Sequence, residues 1–132
     1  MKILLTGATG YIGKRLLPML VGQGHNVFCC VRDKNRFYCP KEFENKVTVL
    51  EVDFLNQESL HAIPKDIDVA YYLIHSMSGS DTNYDELESI SALNFVEYLN
   101  QTKVKQVIYL SGIVNDQTLS KHLSSRKAVE TI

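Results

Sequence analysis

Three glycines spaced three apart stand directly behind an apolar run. Lys2-Ile3-Leu4-Leu5-Thr6 leads into Gly7-Ala8-Thr9-Gly10-Tyr11-Ile12-Gly13. An amphipathic stretch follows at once, with Ile12, Leu16, Leu17 and Leu20 at helical spacing on one face. The order is strand, glycine turn, helix. It constrains the fold more than any other feature of the chain, because a strand that turns within a few residues into a helix packed against it needs positions without a Cβ. Gly7 supplies the tight exit from the strand, and Gly13 lets the helix lie close to the sheet.

Gly10, between them, leaves the start of the helix open. Amides there lack intrahelical partners and sit at the positive end of the helix dipole. Such a turn is suited to an anion, and in this strand-to-helix setting the anion it fits is a dinucleotide pyrophosphate. A glycine-rich turn that holds nothing is the alternative.

Strand and helix signals then alternate along the chain. Residues 2–6 read as a buried strand and 11–22 as a helix, in which Pro18 deletes one hydrogen bond and predicts a kink. Gly22 and Gly24 stop that helix. Residues 26–31, 47–52, 67–74 and 106–111 read as further strands. Residues 33–45 and 76–82 read as loops, 56–63 as a short helix capped by Asn56, and 83–101 as the longest helix, with Ala92, Phe95, Val96 and Leu99 as its apolar seam. Asn94 interrupts that seam and is expected to bond backbone groups near the sheet edge. A last helix begins near Leu119 and is still running at Ile132, which leads us to expect the front portion of a longer protein. Apolar strands alternating with helices imply parallel pairing through right-handed crossovers. The predicted fold is α/β, a Rossmann-type doubly wound parallel sheet of strand order 3-2-1-4-5, with residues 1–132 forming one domain.

Composition narrows the partners. The 132 residues are 45% hydrophobic and 22% charged, with a formal net charge of -1. A near-neutral chain builds no field for nucleic acid or an anionic membrane, so neither is expected as a partner. No apolar run reaches the roughly 18 residues of a membrane-spanning helix, and the glycine turn interrupts any signal-peptide pattern, so a cytoplasmic location is expected. Cys29, Cys30 and Cys39 are odd in number and lack CxxC spacing, which argues against a disulfide framework or a zinc site. Cys29 and Cys30 are adjacent in a strand and are expected on opposite faces as small buried hydrophobes. The four histidines show no metal-ligand spacing, so no metal is predicted. The exposed edge of an incomplete sheet makes a homodimer an expectation.

The segment Thr6-Gly7-Ala8-Thr9-Gly10-Tyr11-Ile12-Gly13 resembles the short-chain dehydrogenase/reductase superfamily in its extended and atypical branches. Gly24-His25-Asn26-Val27 and Val31-Arg32-Asp33 are similar to the second strand of NmrA-like proteins and isoflavone reductases. Val52-Asp53-Phe54-Leu55 resembles their adenine-contacting turn, and Val104 to Gly112 their fifth strand. Tyr72 to Met77 and His122 to Arg126 are similar to a bacterial subgroup of NAD(P)-binding, nucleoside-diphosphate-sugar epimerase-like proteins.

The glycine turn assigns Gly7, Thr9, Gly10, Tyr11, Ile12 and Gly13 to the cofactor. At the end of the second strand, an acidic residue would bind the ribose diol of NAD, whereas an Arg accommodates the 2′-phosphate of NADP. Arg32 is the first residue past that apolar run; Asp33 follows, 20 residues after Gly13. The resemblance favours NADP through Arg32, with NAD the alternative. It also implies that Asp53 accepts from the adenine amino group while the amide of Phe54 contacts the ring; a helix-capping role for Asp53 is the plainer reading. Ile74 and His75 end the fourth strand, on the sheet edge where ligands bind. His75 is a candidate contact and a weak candidate for proton transfer.

The superfamily's chemistry uses a Tyr-x-x-x-Lys pair, and this chain departs from it. Ser111 sits where the resemblance places a catalytic Ser or Thr, but no tyrosine follows Tyr109. Either the pair lies beyond residue 132, as the substrate-binding part implied by the resemblance would, or the protein is an atypical member without that chemistry. Two functions follow: the NADP(H)-binding part of an oxidoreductase or epimerase-like enzyme acting on an unidentified small molecule, or a non-catalytic redox-sensing module of NmrA type.

Overall fold

The computed structural model describes residues 1–74 and 84–110, with side chains from 86 onward in the second stretch. In chain order the elements are β1 (Lys2–Thr6), α1 (Tyr11–Gly22), β2 (Asn26–Val31), β3 (Val47–Glu51), β4 (Val69–Tyr72), α2 (Tyr84–Leu99) and β5 (Gln106–Tyr109). The strands form one five-stranded sheet of order β3-β2-β1-β4-β5. All four pairings are parallel, with Leu4 opposite both Phe28 and Ala70 at the centre. The fold is therefore the predicted Rossmann-like sheet.

Side chains of a strand alternate between faces, and here each face finds a helix. Ile3, Leu5, Val27, Cys29 and Val31 pack with Leu17 and Leu20 of α1. Leu4, Cys30, Ala70 and Tyr72 pack on the other side with Ala92, Phe95, Tyr98 and Leu99 of α2. Cys29 and Cys30 thus do face opposite layers, both buried and neither in a disulfide. Burying a Leu-sized side chain contributes roughly 1.5–3 kcal/mol. That stripe holds α1 in place despite the poor helix formers Gly13 and Pro18 within it. α1 continues through Pro18, which lies on its exposed side, where water can take the place of the missing donor.

Several boundaries differ from expectation. The segment 33–45 contains two single 3₁₀ turns, Lys34–Arg36 and Lys41–Phe43. The short helix expected at 56–63 is present as a six-residue 3₁₀ helix, Gln57–Ala62, capped as expected by the Asn56 side chain accepting from the Glu58 amide. Strand β4 is shorter than 67–74, because beyond Tyr72 the Leu73 amide donates to the Thr6 side chain instead of a backbone carbonyl. The anticipated loop at 76–82 and the terminal helix from Leu119 lie outside the described residues.

Candidate functional site

β1 ends where Gly7 takes a φ of +70°, a conformation that disfavours a side chain. A Cβ there would also stand 2.7 Å from the Leu73 carbonyl oxygen, so the turn passes hard against the end of β4. Gly13 is tighter still: its Cβ would fall 2.2 Å from the Gly7 carbonyl oxygen. The fold itself therefore requires glycine at both ends of the motif. It does not require one in the middle. Gly10 has an ordinary extended backbone (φ -79°, ψ 174°), and a Cβ on it would meet nothing nearer than the Gly7 oxygen at 3.4 Å.

Gly10 is also the N-cap of α1 and offers no side chain to the first amides. The first intrahelical bond is from the Lys14 amide to the Gly10 carbonyl, leaving Tyr11, Ile12 and Gly13 with N–H groups at the dipole's positive end. No acidic side chain occupies the first turn. This is a cradle for an anion.

The cradle is one wall of a cleft of about 500 Å³ along the C-terminal edge of the sheet. Gly7, Thr9, Gly10, Tyr11, Ile12 and Gly13 line it from the turn, Arg32 from the end of β2, Asp53 and Phe54 from beyond β3, and Ile74 from beyond β4. Every predicted dinucleotide-contacting residue among the described ones is thus brought to a single cleft. His75 and Ser111, the weak catalytic candidates, lie outside the described residues. Ile12 was expected on the core face of α1; instead it is 43% exposed and faces the cleft, because the core stripe begins one turn later at Leu16 and Leu17. Sequence reading missed Leu87 and Ser91 of α2, which close the cleft from above the other face.

Among the described residues, Arg32 and Asp53 are the charged side chains lining the cleft. Arg32 is exposed at the lip. Its neighbour Asp33 is turned to other work: one carboxylate oxygen accepts from the Asn35 amide at 2.9 Å, and the other lies 3.8 Å from the Arg36 Nε. Asp53 accepts from the Leu55 amide at 3.0 Å through Oδ1, while its own amide and carbonyl engage the Ser59 hydroxyl. The helix-capping alternative for Asp53 falls to Asn56, and Asp53 shapes the turn before it. The ring of Phe54 is core, packed edge-on to Phe95 at 5.7 Å and Tyr72 at 6.3 Å. Its carbonyl accepts from the buried Asn94 side-chain amide at 2.7 Å. That bond is the backbone-bonding role expected of Asn94, which also accepts from the Gln57 side chain at 2.8 Å.

Cys30 also borders the cleft, but burial pushes its thiol pKa well up, so it is no ready nucleophile. No group of three His, Cys, Asp or Glu side chains fit for a metal occurs among the described residues, and none of their helices is long and apolar enough to cross a membrane.

A protein-family model described as NAD(P)H-binding matches residues 7–130. The chain is 29% identical over 118 residues to isoeugenol synthase 1 of Petunia hybrida, covering 84% of this chain and 31% of that protein. It is 27% identical to the auxiliary protein GraX of Staphylococcus aureus, over 94% of this chain and 40% of GraX. Isoflavone reductase homolog P3 of Arabidopsis thaliana is 36% identical over 98 residues, 70% of this chain and 30% of that one. Among solved structures, a Staphylococcus aureus nucleoside-diphosphate-sugar epimerase superposes with a TM-score of 0.78 at 22% identity, over 99% of this chain and 45% of that one. The Bordetella bronchiseptica enzyme WbmF in complex with NAD+ gives 0.78 at 19%, over 98% and 43%. The chain thus spans roughly a third of these curated relatives and under half of these solved structures.

Proposed function

This chain belongs to the NAD(P)H-binding family, and from that premise we propose that its cleft holds NADP(H) in preference to NAD(H). The pyrophosphate lies on the Gly7–Gly13 turn against the free amides of α1. The 2′-phosphate meets Arg32, the adenine meets Asp53 and the Phe54 amide, and the nicotinamide end reaches Ile74 and His75. One observation carries the preference. Arg32 stands exposed at the lip with no partner among the described residues, while Asp33, the acid that would bind a ribose diol, does not line the cleft and is engaged by Asn35 and Arg36. Arg presents a planar, permanently charged fork suited to phosphate.

The bound dinucleotide supplies hydride chemistry, and this chain's residues hold and orient it. We assign residues 1–132 to the cofactor-binding part of an atypical short-chain dehydrogenase/reductase-like oxidoreductase or epimerase, acting on a small molecule bound elsewhere in the protein. The second reading is a redox-sensing regulatory module, favoured by the similarity to GraX over 94% of the chain.

Titration calorimetry with NADPH, NADP, NADH and NAD tests both. The NADP reading expects tighter binding of the phosphorylated pair, lost in Arg32→Ala by about tenfold or more. Equal affinities for NADPH and NADH in the wild type would overturn it. A large difference between NADPH and NADP, with no turnover of carbonyl substrates, would favour the sensor.

A further inference from the structure

Asp33 adjoins the proposed 2′-phosphate residue and carries the wrong charge for it. A carboxylate within several ångströms of a phosphate dianion opposes its binding, and a carboxylate facing the ribose would select NAD instead. The chain tolerates Asp33 because of where the carboxylate is held. It caps the Lys34–Arg36 turn, with Oδ1 accepting from the Asn35 amide at 2.9 Å. Its Oδ2 lies 3.8 Å from the Arg36 Nε, and Asp33 does not line the cleft although Arg32 does.

We propose that Asp33 and Arg36 form a specificity latch: the turn withdraws the Asp33 carboxylate from the cleft, and Arg36 offsets its charge so that Arg32 meets the 2′-phosphate without a competing anion. The proposal rests on the reading of Arg32 as the phosphate-binding residue. Arg36 is a positioning residue in this scheme and touches no cofactor atom. Its side chain is 86% exposed, so its influence is electrostatic, modest in size and sensitive to salt.

Dissociation constants for NADPH and NADH, measured on the purified chain at low ionic strength, test the latch. Arg36→Gln is expected to lower the NADPH-over-NADH preference by about two- to fivefold, and the loss should shrink at about 0.5 M salt. Arg36→Lys keeps the charge and should keep the preference. The decisive variant is Arg36→Gln combined with Asp33→Asn, since asparagine can still cap the turn but carries no charge. If Arg36 acts through Asp33, Arg36→Gln changes nothing further in that background. If the NADPH loss persists there, Arg36 contacts the phosphate directly and the latch is wrong; an unchanged preference in Arg36→Gln alone overturns it equally. Arg32→Ala separates the two levels. Should it leave NADPH binding intact, the underlying cofactor reading fails; should it abolish the preference while Arg36→Gln does not affect it, only the latch fails.

Discussion

The hydroxyl of Thr6 accepts from the amide of Leu73 at 3.0 Å while donating to the carbonyl of Tyr71 at 2.9 Å. It is a side-chain rung between the two central strands, placed where their backbones part to open the cleft. The Leu73 carbonyl lies against Gly7, so this rung also fixes the wall that the glycine turn passes. Thr6 is fully buried, and removing its hydroxyl orphans two backbone groups at once. Thr6→Val should therefore cost about 1–3 kcal/mol in urea unfolding, with Thr6→Ser closer to wild type. Dinucleotide affinity should fall in the valine variant. A valine variant with unchanged midpoint and affinity would show that the rung is dispensable.

Gly13 and Gly10 separate folding from binding. Gly13→Ala drives a methyl group to 2.2 Å from the Gly7 carbonyl oxygen, a backbone atom that cannot rotate away. We expect a loss of several kcal/mol or failure to fold, read from the thermal midpoint. Gly10→Ser does the opposite. Serine fits the extended N-cap conformation and can bond the first amides of α1, so stability should hold or rise by about 0.5 kcal/mol. The same hydroxyl occupies the anion's place, and NADPH binding should weaken by about tenfold or more in calorimetry. A Gly10→Ser protein that binds NADPH normally would remove the pyrophosphate from this turn.

These two glycines also show how far the sequence could be read. Spacing placed Gly7, Gly10 and Gly13 between a strand and a helix, and the alternation of apolar runs implied parallel pairing, since both are local patterns; the strand order came with the doubly wound fold to which they point. The ends of elements were less legible. Strand β4 stops at Tyr72 because a threonine five strand-residues into β1 intercepts the Leu73 amide, a contact across 67 positions that no window of sequence contains. Ile12 fits the apolar spacing of α1, yet it faces the cleft, because helical period says which residues share a face and not where the core stripe begins. Ser91 and Leu87 reach the cleft only because α2 crosses above β4, a tertiary relation with no local signature.

Asn94 ties α2 to the Asp53–Phe54 side of the cleft. Its amide bonds the Phe54 carbonyl and the Gln57 side chain, and it is 8% exposed. Asn94→Leu removes both bonds and leaves a buried carbonyl unpaired, which should cost about 1–3 kcal/mol. Because the turn it holds carries Asp53 and the Phe54 amide, affinity for adenine-containing fragments should fall too. Binding of 2′-phospho-ADP-ribose by the folded variant is the measurement; undiminished affinity would mean that the turn keeps its shape without Asn94.

Cys29 and Cys30 set an alkaline limit on the fold. Burial pushes the Cys29 thiol up from its ordinary value of 9.0 to about 12, with a smaller contribution from nearby Cys39; burial likewise raises Cys30, with Cys29 adding to it. Both folded-state values lie above the unfolded ones, so the stabilisation is complete below about pH 9. Above that, the unfolded chain releases these protons while the folded chain retains them, and stability declines as pH rises toward the folded values. Urea midpoints should accordingly fall from about pH 9 upward, before the buried Tyr72, also raised chiefly by burial, begins to contribute from the ordinary phenol value of 10.0. Replacing both cysteines with alanine should delay the onset of that fall, whatever it costs at neutral pH through lost packing. At pH 8, iodoacetamide should modify the half-buried Cys39 of the native protein and reach Cys29 and Cys30 only on unfolding. Rapid labelling of all three thiols in the native state would contradict the burial of the two strand cysteines, and with it the packing of β2 between α1 and α2.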